Sequence, residues 1–159
     1  MNLLVVYYSR TGRTRKVAEA IARGLEADIE AITDNVNRSG PIGYLRSGRD
    51  AIFKVAPEIE TLKNDPAGYD LIIVGTPIWA MTISAPVRAF LQRYYIKDYA
   101  AFLTLSRMGK DSALKAIKDL LRREPIAILA LRQADIDQGI FHDAVNDFIT
   151  SIKIEAKIR

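Results

Sequence analysis

The stretch Ser9-Arg10-Thr11-Gly12-Arg13-Thr14 gathers, within one short run, the groups that an anion needs. It offers the hydroxyls of Ser9, Thr11 and Thr14 and the guanidinium groups of Arg10 and Arg13, with Arg15 next in line. Ahead of it runs Leu3-Leu4-Val5-Val6, an unbroken apolar run that reads as a strand buried on both faces. Behind it, Val17, Ala18, Ile21, Ala22 and Leu25 fall at the spacing of one apolar helix stripe. The polar stretch is therefore a strand-to-helix loop, where unpaired N–H groups and the positive end of the helix dipole meet. Gly12 permits the turn and a close approach of backbone to ligand. A helix cap alone needs one hydroxyl and gains nothing from clustered arginines, so the stretch reads as a phosphate site. The chain has neither G-x-x-x-x-G-K-[ST] nor G-x-G-x-x-G, so it carries neither a P-loop nor the usual dinucleotide fingerprint.

Two more loops stand out. Thr76-Pro77-Ile78-Trp79-Ala80-Met81 follows the apolar run Leu71-Ile72-Ile73-Val74 and holds the only tryptophan. Ser106-Arg107-Met108-Gly109-Lys110-Asp111 follows Ala100 to Leu105 and supplies hydroxyl and amide donors. A phosphate socket beside an aromatic wall and a donor-rich loop suits flavin mononucleotide. The phosphate would anchor on Ser9 to Thr14 and the ring would lie against Trp79. Backbone N–H groups of Thr76 to Ala80 and of Ser106, Arg107, Met108 and Gly109 would meet the ring edge. A lone tryptophan often only packs a core; its place at a strand exit favours the ring-wall reading. Tyr44 is open to two readings, overhanging the site or lying half-buried at the surface. Tyr7 and Tyr8 read as packing, and His142 carries no function.

These loops need a scaffold that brings them to one edge. Strands buried on both faces alternate with helical stripes along the whole chain. That pattern means a parallel sheet between two helical layers, with right-handed crossovers. The expected fold is a three-layer, doubly wound α/β domain with a five-stranded parallel sheet, for which right-handed crossovers leave few topologies. In such sheets ligands bind beyond the carboxyl ends of the strands, where the order reverses. Asp28 to Ile32 alternates and reads as an edge strand. Residues 34–68 form an insertion too long for a plain loop. A helix opening at Ser39-Gly40-Pro41 is expected there, with Ile42, Leu45, Ile52 and Phe53 as its stripe, and a second helical piece over Glu58 to Asn64. Ser84 should cap one helix, and Asp111 or Ser112 another.

At 159 residues, 49% of them hydrophobic, the chain fits one domain with a full core. Cysteine is absent, which excludes disulfides and thiolate chemistry, and a single histidine makes a zinc site a poor reading. No apolar run reaches membrane-span length and no leader pattern opens the chain, so a cytoplasmic protein is expected. The net charge of +4 comes without any run of like charges, so nucleic acid is not the expected partner.

With these residues in view, the chain resembles the flavodoxin family over essentially its whole length. The family's phosphate loop, [ST]-x-T-G-[NRK]-T, matches Ser9 to Thr14. Gly75-Thr76-Pro77-Ile78-Trp79-Ala80 resembles the G-[ST]-P-x-[WY] loop of family members other than the short electron carriers, and Gly43 to Ala51 resembles the same branch. Arg13 stands where the short carriers often have asparagine. Met108-Gly109 stands where many relatives have two glycines, and the chain is basic where those carriers are acidic.

The resemblance implies a sheet in the strand order 2-1-3-4-5, FMN at its switch point, and electron transfer. The first reading is an electron carrier serving a redox protein or a small acceptor. The alternative is an NAD(P)H-dependent quinone or azo-compound reductase, with the 34–68 insertion making room above the ring. A cofactor-free binding domain is the third. The oligomeric state is left open.

Overall fold

The computed structural model describes residues 1–158. Strand β1 (Leu3–Tyr7) leads into helix α1 (Arg13–Leu25), and β2 (Asp28–Ala31) follows. Next come α2 (Gly40–Ile52), a 3-10 turn (Pro66–Gly68) and β3 (Leu71–Trp79). A short β4 (Thr82–Ile83) precedes α3 (Ala85–Arg93), β5 (Tyr99–Leu105) and α4 (Lys110–Leu121). The order ends with β6 (Ile128–Arg132), α5 (Gln133–Asp137) and α6 (His142–Ile158).

The main sheet runs β2-β1-β3-β5-β6, all parallel, with β4 attached to β3 alone. With that hairpin strand set aside, the order is the expected 2-1-3-4-5. Alternation along β1 divides the core. Leu4 and Val6 join Ile72, Val74, Ala101 and Leu103 on the face covered by α3 and α4. Val5 and Tyr7 join Ile73, Ala100 and Phe102 on the face covered by α1 and α6. Both faces are buried, which is why the strands read as unbroken apolar runs rather than as alternating ones. β2 lies at the sheet edge beside β1 and is exposed along nearly its whole length, Ile29 included, so its sequence alternation does not become one buried and one wet face.

Four local expectations need correction. Glu58 to Asn64 is not helical; its backbone donors go to tertiary partners instead of the i−4 carbonyl. Glu60 N–H bonds the Thr33 carbonyl and Leu62 N–H bonds the Tyr94 hydroxyl. Lys63 and Asn64 N–H both reach the carboxylate of Glu30. The Thr76 to Met81 loop is largely strand: β3 continues to Trp79 and turns back at once into β4. Helix α4 starts at Lys110 behind Gly109, so neither Asp111 nor Ser112 is its cap. Ser84 does stand at the α3 N-cap, but its side chain turns to Thr76 rather than to the helix.

Candidate functional site

Gly12, with φ 94°, is the residue from which α1 starts, and no side chain caps the helix. The helical ladder begins with Lys16 N–H on the Gly12 carbonyl, 3.0 Å away. The N–H groups of Arg13, Thr14 and Arg15 therefore have no acceptor within the helix. Ser9 Oγ accepts from Gly12 N–H at 3.0 Å, so Ser9 shapes the turn rather than facing outward. Thr14 is buried, and its hydroxyl lies 2.8 Å from that of Thr104 at the end of β5.

Each arginine of this loop has a protein partner. Arg13 grips Asp137 of α5 with both ends of its fork, at 2.9 and 3.0 Å. That hydrogen bonding holds the Asp137 carboxyl below the ordinary range. Arg15 pairs with Glu19 at 2.8 Å. Arg10 donates to the Arg38 carbonyl at 3.0 Å and stacks over Tyr44 at 5.6 Å. Arg13 and Arg15 are thus matched by carboxylates, Arg10 keeps its charge beside a carbonyl and a ring, and backbone N–H groups and the exposed Thr11 hydroxyl are left to bond an anion.

The second wall is the β3–β4 hairpin. Its two turn residues, Ala80 and Met81, both have left-handed backbone, φ 46° and 69°, as a two-residue hairpin turn of this hand demands. Neither is glycine, so the turn is strained. Trp79 is half-buried before the turn, edge-on to Tyr8 at 5.4 Å and 5.1 Å from the Arg38 guanidinium. Burial, with Asp34 adding to it, pushes the Tyr8 hydroxyl up to about 12. Thr76 is wholly buried; its hydroxyl donates to the Pro77 carbonyl and accepts from Ser84 N–H. The third loop packs on this hairpin. A Cβ on Gly109, φ +106°, would come within 2.8 Å of Ile78 Cγ2 and 3.0 Å of Met81 Cα.

Helix α2 makes the third wall, and it is turned the other way from expectation. It buries Gly43, Ser47, Asp50 and Ala51. The expected stripe of Ile42, Leu45, Ile52 and Phe53 is exposed instead, each by more than half of its surface. The buried side carries polar groups because it meets the Arg38 guanidinium, not an apolar core: Asp50 pairs with it at 3.1 Å and Ser47 stands 3.4 Å away.

The three walls enclose a cavity of about 670 Å³ beyond the carboxyl ends of β1, β3 and β5. Of the residues expected there, Arg10, Thr11, Arg13, Thr14, Pro77, Ile78, Trp79, Ala80, Ser106 and Met108 line it. Ser9, Gly12, Thr76, Arg107 and Gly109 do not line it. Sequence reasoning missed the α2 wall of Leu45, Ser47, Gly48, Arg49, Ile52 and Phe53, and also Met81, Thr104 and Gln133. Tyr44, read two ways from sequence, is exposed and lines the cavity. The signal for the wall was Gly43, Ser47 and Ala51, small residues four apart, which mark the close-packed side of a helix.

Arg10, Arg13 and Arg49 line the cavity, and among the described residues no carboxylate or histidine does. The residues fit FMN: free N–H donors and a threonine hydroxyl for a phosphate, the Arg10 charge beside them, and apolar walls for a flat ring.

Solved structures with this fold include flavoproteins. One from Lactobacillus acidophilus in complex with FMN has TM-score 0.69 at 23% identity, covering 86% of this chain and 97% of that one. A flavoprotein from Bacteroides uniformis has TM-score 0.73 at 21% identity, covering 87% and 97%. A WrbA-like flavodoxin from Agrobacterium tumefaciens has TM-score 0.63 at 19% identity, covering 99% of each. A curated relative, an NAD(P)H dehydrogenase (quinone) from Cupriavidus metallidurans, is 33% identical over 96 residues. That match takes in 57% of this chain and 45% of the relative, so the chain spans about half the relative's length. The flavin expected from the first loop agrees with a match that runs through all three cavity-forming loops: residues 1–133 fit the model of the NADPH-dependent FMN reductases, and the chain belongs to that family.

Proposed function

We propose that the protein is an FMN-dependent oxidoreductase that takes electrons from NAD(P)H and passes them to a small apolar acceptor of the quinone class. The observation that carries this reading is the α2 wall. An electron carrier needs only a shielded flavin with one accessible edge. Here Leu45, Ile52 and Phe53 build an apolar lip on the cavity. Such a lip suits a second flat ring.

Thr11, the N–H groups of Arg13 to Arg15 and the Thr14 hydroxyl would hold the FMN phosphate. Trp79 and Ile78 would bound the ring. The chemistry that bound FMN supplies is uptake of a hydride equivalent from a nicotinamide and return of two electrons to an acceptor. The reaction sums as NAD(P)H, a proton and a quinone giving NAD(P)⁺ and a quinol. Among the described residues no histidine or carboxylate lines the cavity, and on this reading the protein's part is positioning, exclusion of water and electrostatics. Arg10, whose carbonyl and ring partners carry no charge, would favour the FMN phosphate. The relative from Cupriavidus metallidurans supports the choice of acceptor class.

Anaerobic mixing of FMN-loaded protein with NADPH, followed near the flavin absorption maximum, tests the proposal. Rapid bleaching, reversed by a soluble quinone with catalytic turnover, is the expected result. A flavin that binds but stays oxidised in excess NADPH and NADH would overturn it in favour of the electron carrier.

A further inference from the structure

Arg38 is 4% exposed, an unusual place for a guanidinium. Its Nε donates to Asp34 Oδ2 at 2.9 Å, and Nη2 stands 2.9 Å from the same oxygen as an ion contact without hydrogen-bond alignment. Nη1 meets Asp50 Oδ2 at 3.1 Å and Ser47 Oγ at 3.4 Å. Both carboxylates are as deeply buried as the arginine. A buried ion cluster of this kind is weak evidence for stability, because apolar residues of similar volume often serve as well. What it does supply is orientation. Two carboxylates on different sides fix the plane of a guanidinium, which a lysine cannot reproduce.

That fixed plane carries Trp79, whose ring lies 5.1 Å from the Arg38 carbon. Trp79 lines the cavity, whereas Arg38 does not. The same residue gathers the other walls. Its carbonyl accepts from Arg10 of the phosphate loop. Helix α2 closes on it so tightly that a Cβ on Gly43 would sit 2.0 Å from the Arg38 carbonyl carbon. The first loop therefore meets the Arg38 backbone, the tryptophan hairpin meets its side chain, and α2 meets both, at one residue outside the cavity.

We infer that Arg38 is a positioning residue: it sets the plane of Trp79, and through Trp79 the fit of the flavin ring, without touching cofactor or substrate. The inference rests on the flavin-site reading above. Arg38→Lys keeps the charge but loses the planar guanidinium that meets Asp34 and Asp50 at once. It should weaken FMN binding about tenfold, the scale of one cation–π contact. It should also broaden and shift Trp79 emission in the apoprotein, a signal with a single source. A residue that merely holds the fold would weaken binding whatever stands at position 79. One that acts through the tryptophan would not. In a Trp79→Phe background, Arg38→Lys should change FMN affinity by less than about threefold.

Equal losses in the two backgrounds, or unchanged Trp79 emission, would overturn the inference. Asp50→Asn removes one of the two carboxylates that meet Arg38 and should show the same pattern more weakly, which covers the case in which Arg38→Lys fails to fold. If the parent binds no FMN, the flavin reading fails, and apoprotein emission still decides whether Arg38 sets Trp79.

Discussion

The hydroxyls of Thr14 and Thr104 lie 2.8 Å apart in a buried position, joining the first turn of α1 to the end of β5 across 90 residues of sequence. The two groups have two hydrogens and more than two acceptor sites between them. When a phosphate accepts from Thr14, Thr104 can donate to Thr14 in turn. Thr14→Val should therefore cost roughly tenfold in FMN affinity, the worth of one charge-assisted bond. Thr104→Val should cost less than about threefold in affinity, yet destabilise the apoprotein by about 1–3 kcal/mol through the orphaned Thr14 hydroxyl. Flavin titration and urea unfolding measure the two. Equal affinity losses would mean that the Thr14 hydroxyl does not reach the phosphate.

Arg13 and Asp137 make a bidentate pair that ties the phosphate loop to α5. The Asp137 carboxyl is held below its ordinary 3.8, chiefly by the hydrogen bond from Arg13. A carboxyl lowered in the folded state stabilises the fold above the ordinary value, and the contribution is lost as pH falls through the lowered one. Asp137→Asn should then melt below the parent at neutral pH, with the gap closing as the medium is acidified past 3.8. Both partners are largely solvated, so the gap should be small and should shrink with salt. Thermal midpoints across pH provide the check; a gap that persists unchanged in acid would rule out the ion pair as its source.

Gly109 combines a left-handed backbone with a neighbour where its Cβ would be. Gly109→Ala should cost about 2–4 kcal/mol from strain and overlap together. That corresponds to a fall of roughly 4–16 °C in thermal midpoint for a domain of this size. Because Met81 and Ile78 must move to make room, FMN affinity should fall as well. A variant as stable as the parent would mean that the third loop does not bear on the hairpin.

The parallel sheet and the strand-to-helix loop from Ser9 to Thr14 were legible because each rests on a local pattern: apolar runs for β1, β3 and β5, an edge-type alternation for β2, and clustered hydroxyls before the α1 stripe; the strand order was legible only through the family resemblance. The insertion was legible as a helix but not in its orientation. Helical periodicity identifies an apolar side, and burial of that side is the default inference. Here the inner side of α2 meets the Arg38 guanidinium, so Ser47 and Asp50 go in and the apolar residues go out. Nothing local to residues 40–52 announces a buried arginine outside that helix. The extended course of Glu58 to Asn64 was hidden for the same reason, since its partner Glu30 lies on β2. The arginines of the first loop were legible as charge but not as already paired, because Asp137 is 124 residues away from Arg13.

The outward apolar face of α2 separates substrate binding from stability. Leu45 is 70% exposed and Ile52 63%, and both line the cavity. Replacing both with serine removes no core packing, so the change in stability should stay within about 0.5 kcal/mol per site. Neither residue touches the phosphate loop through any hydrogen bond, so FMN affinity should change little. An apolar acceptor covering half of each side chain would lose roughly 1–1.5 kcal/mol per residue, from about 25 cal/mol per Å² of buried apolar surface. The double variant should therefore raise KM for a quinone by about thirtyfold or more. Its turnover at saturating quinone should be near that of the parent, because this is binding shared by ground and transition states. A polar acceptor such as ferricyanide serves as the control and should show no such rise. By contrast, Ala51→Leu on the buried side of the same helix should destabilise the fold by about 1–3 kcal/mol through overpacking. If the serine variant reduces quinones with the parent KM, the α2 lip does not hold the acceptor, and the apolar face of this helix has another use.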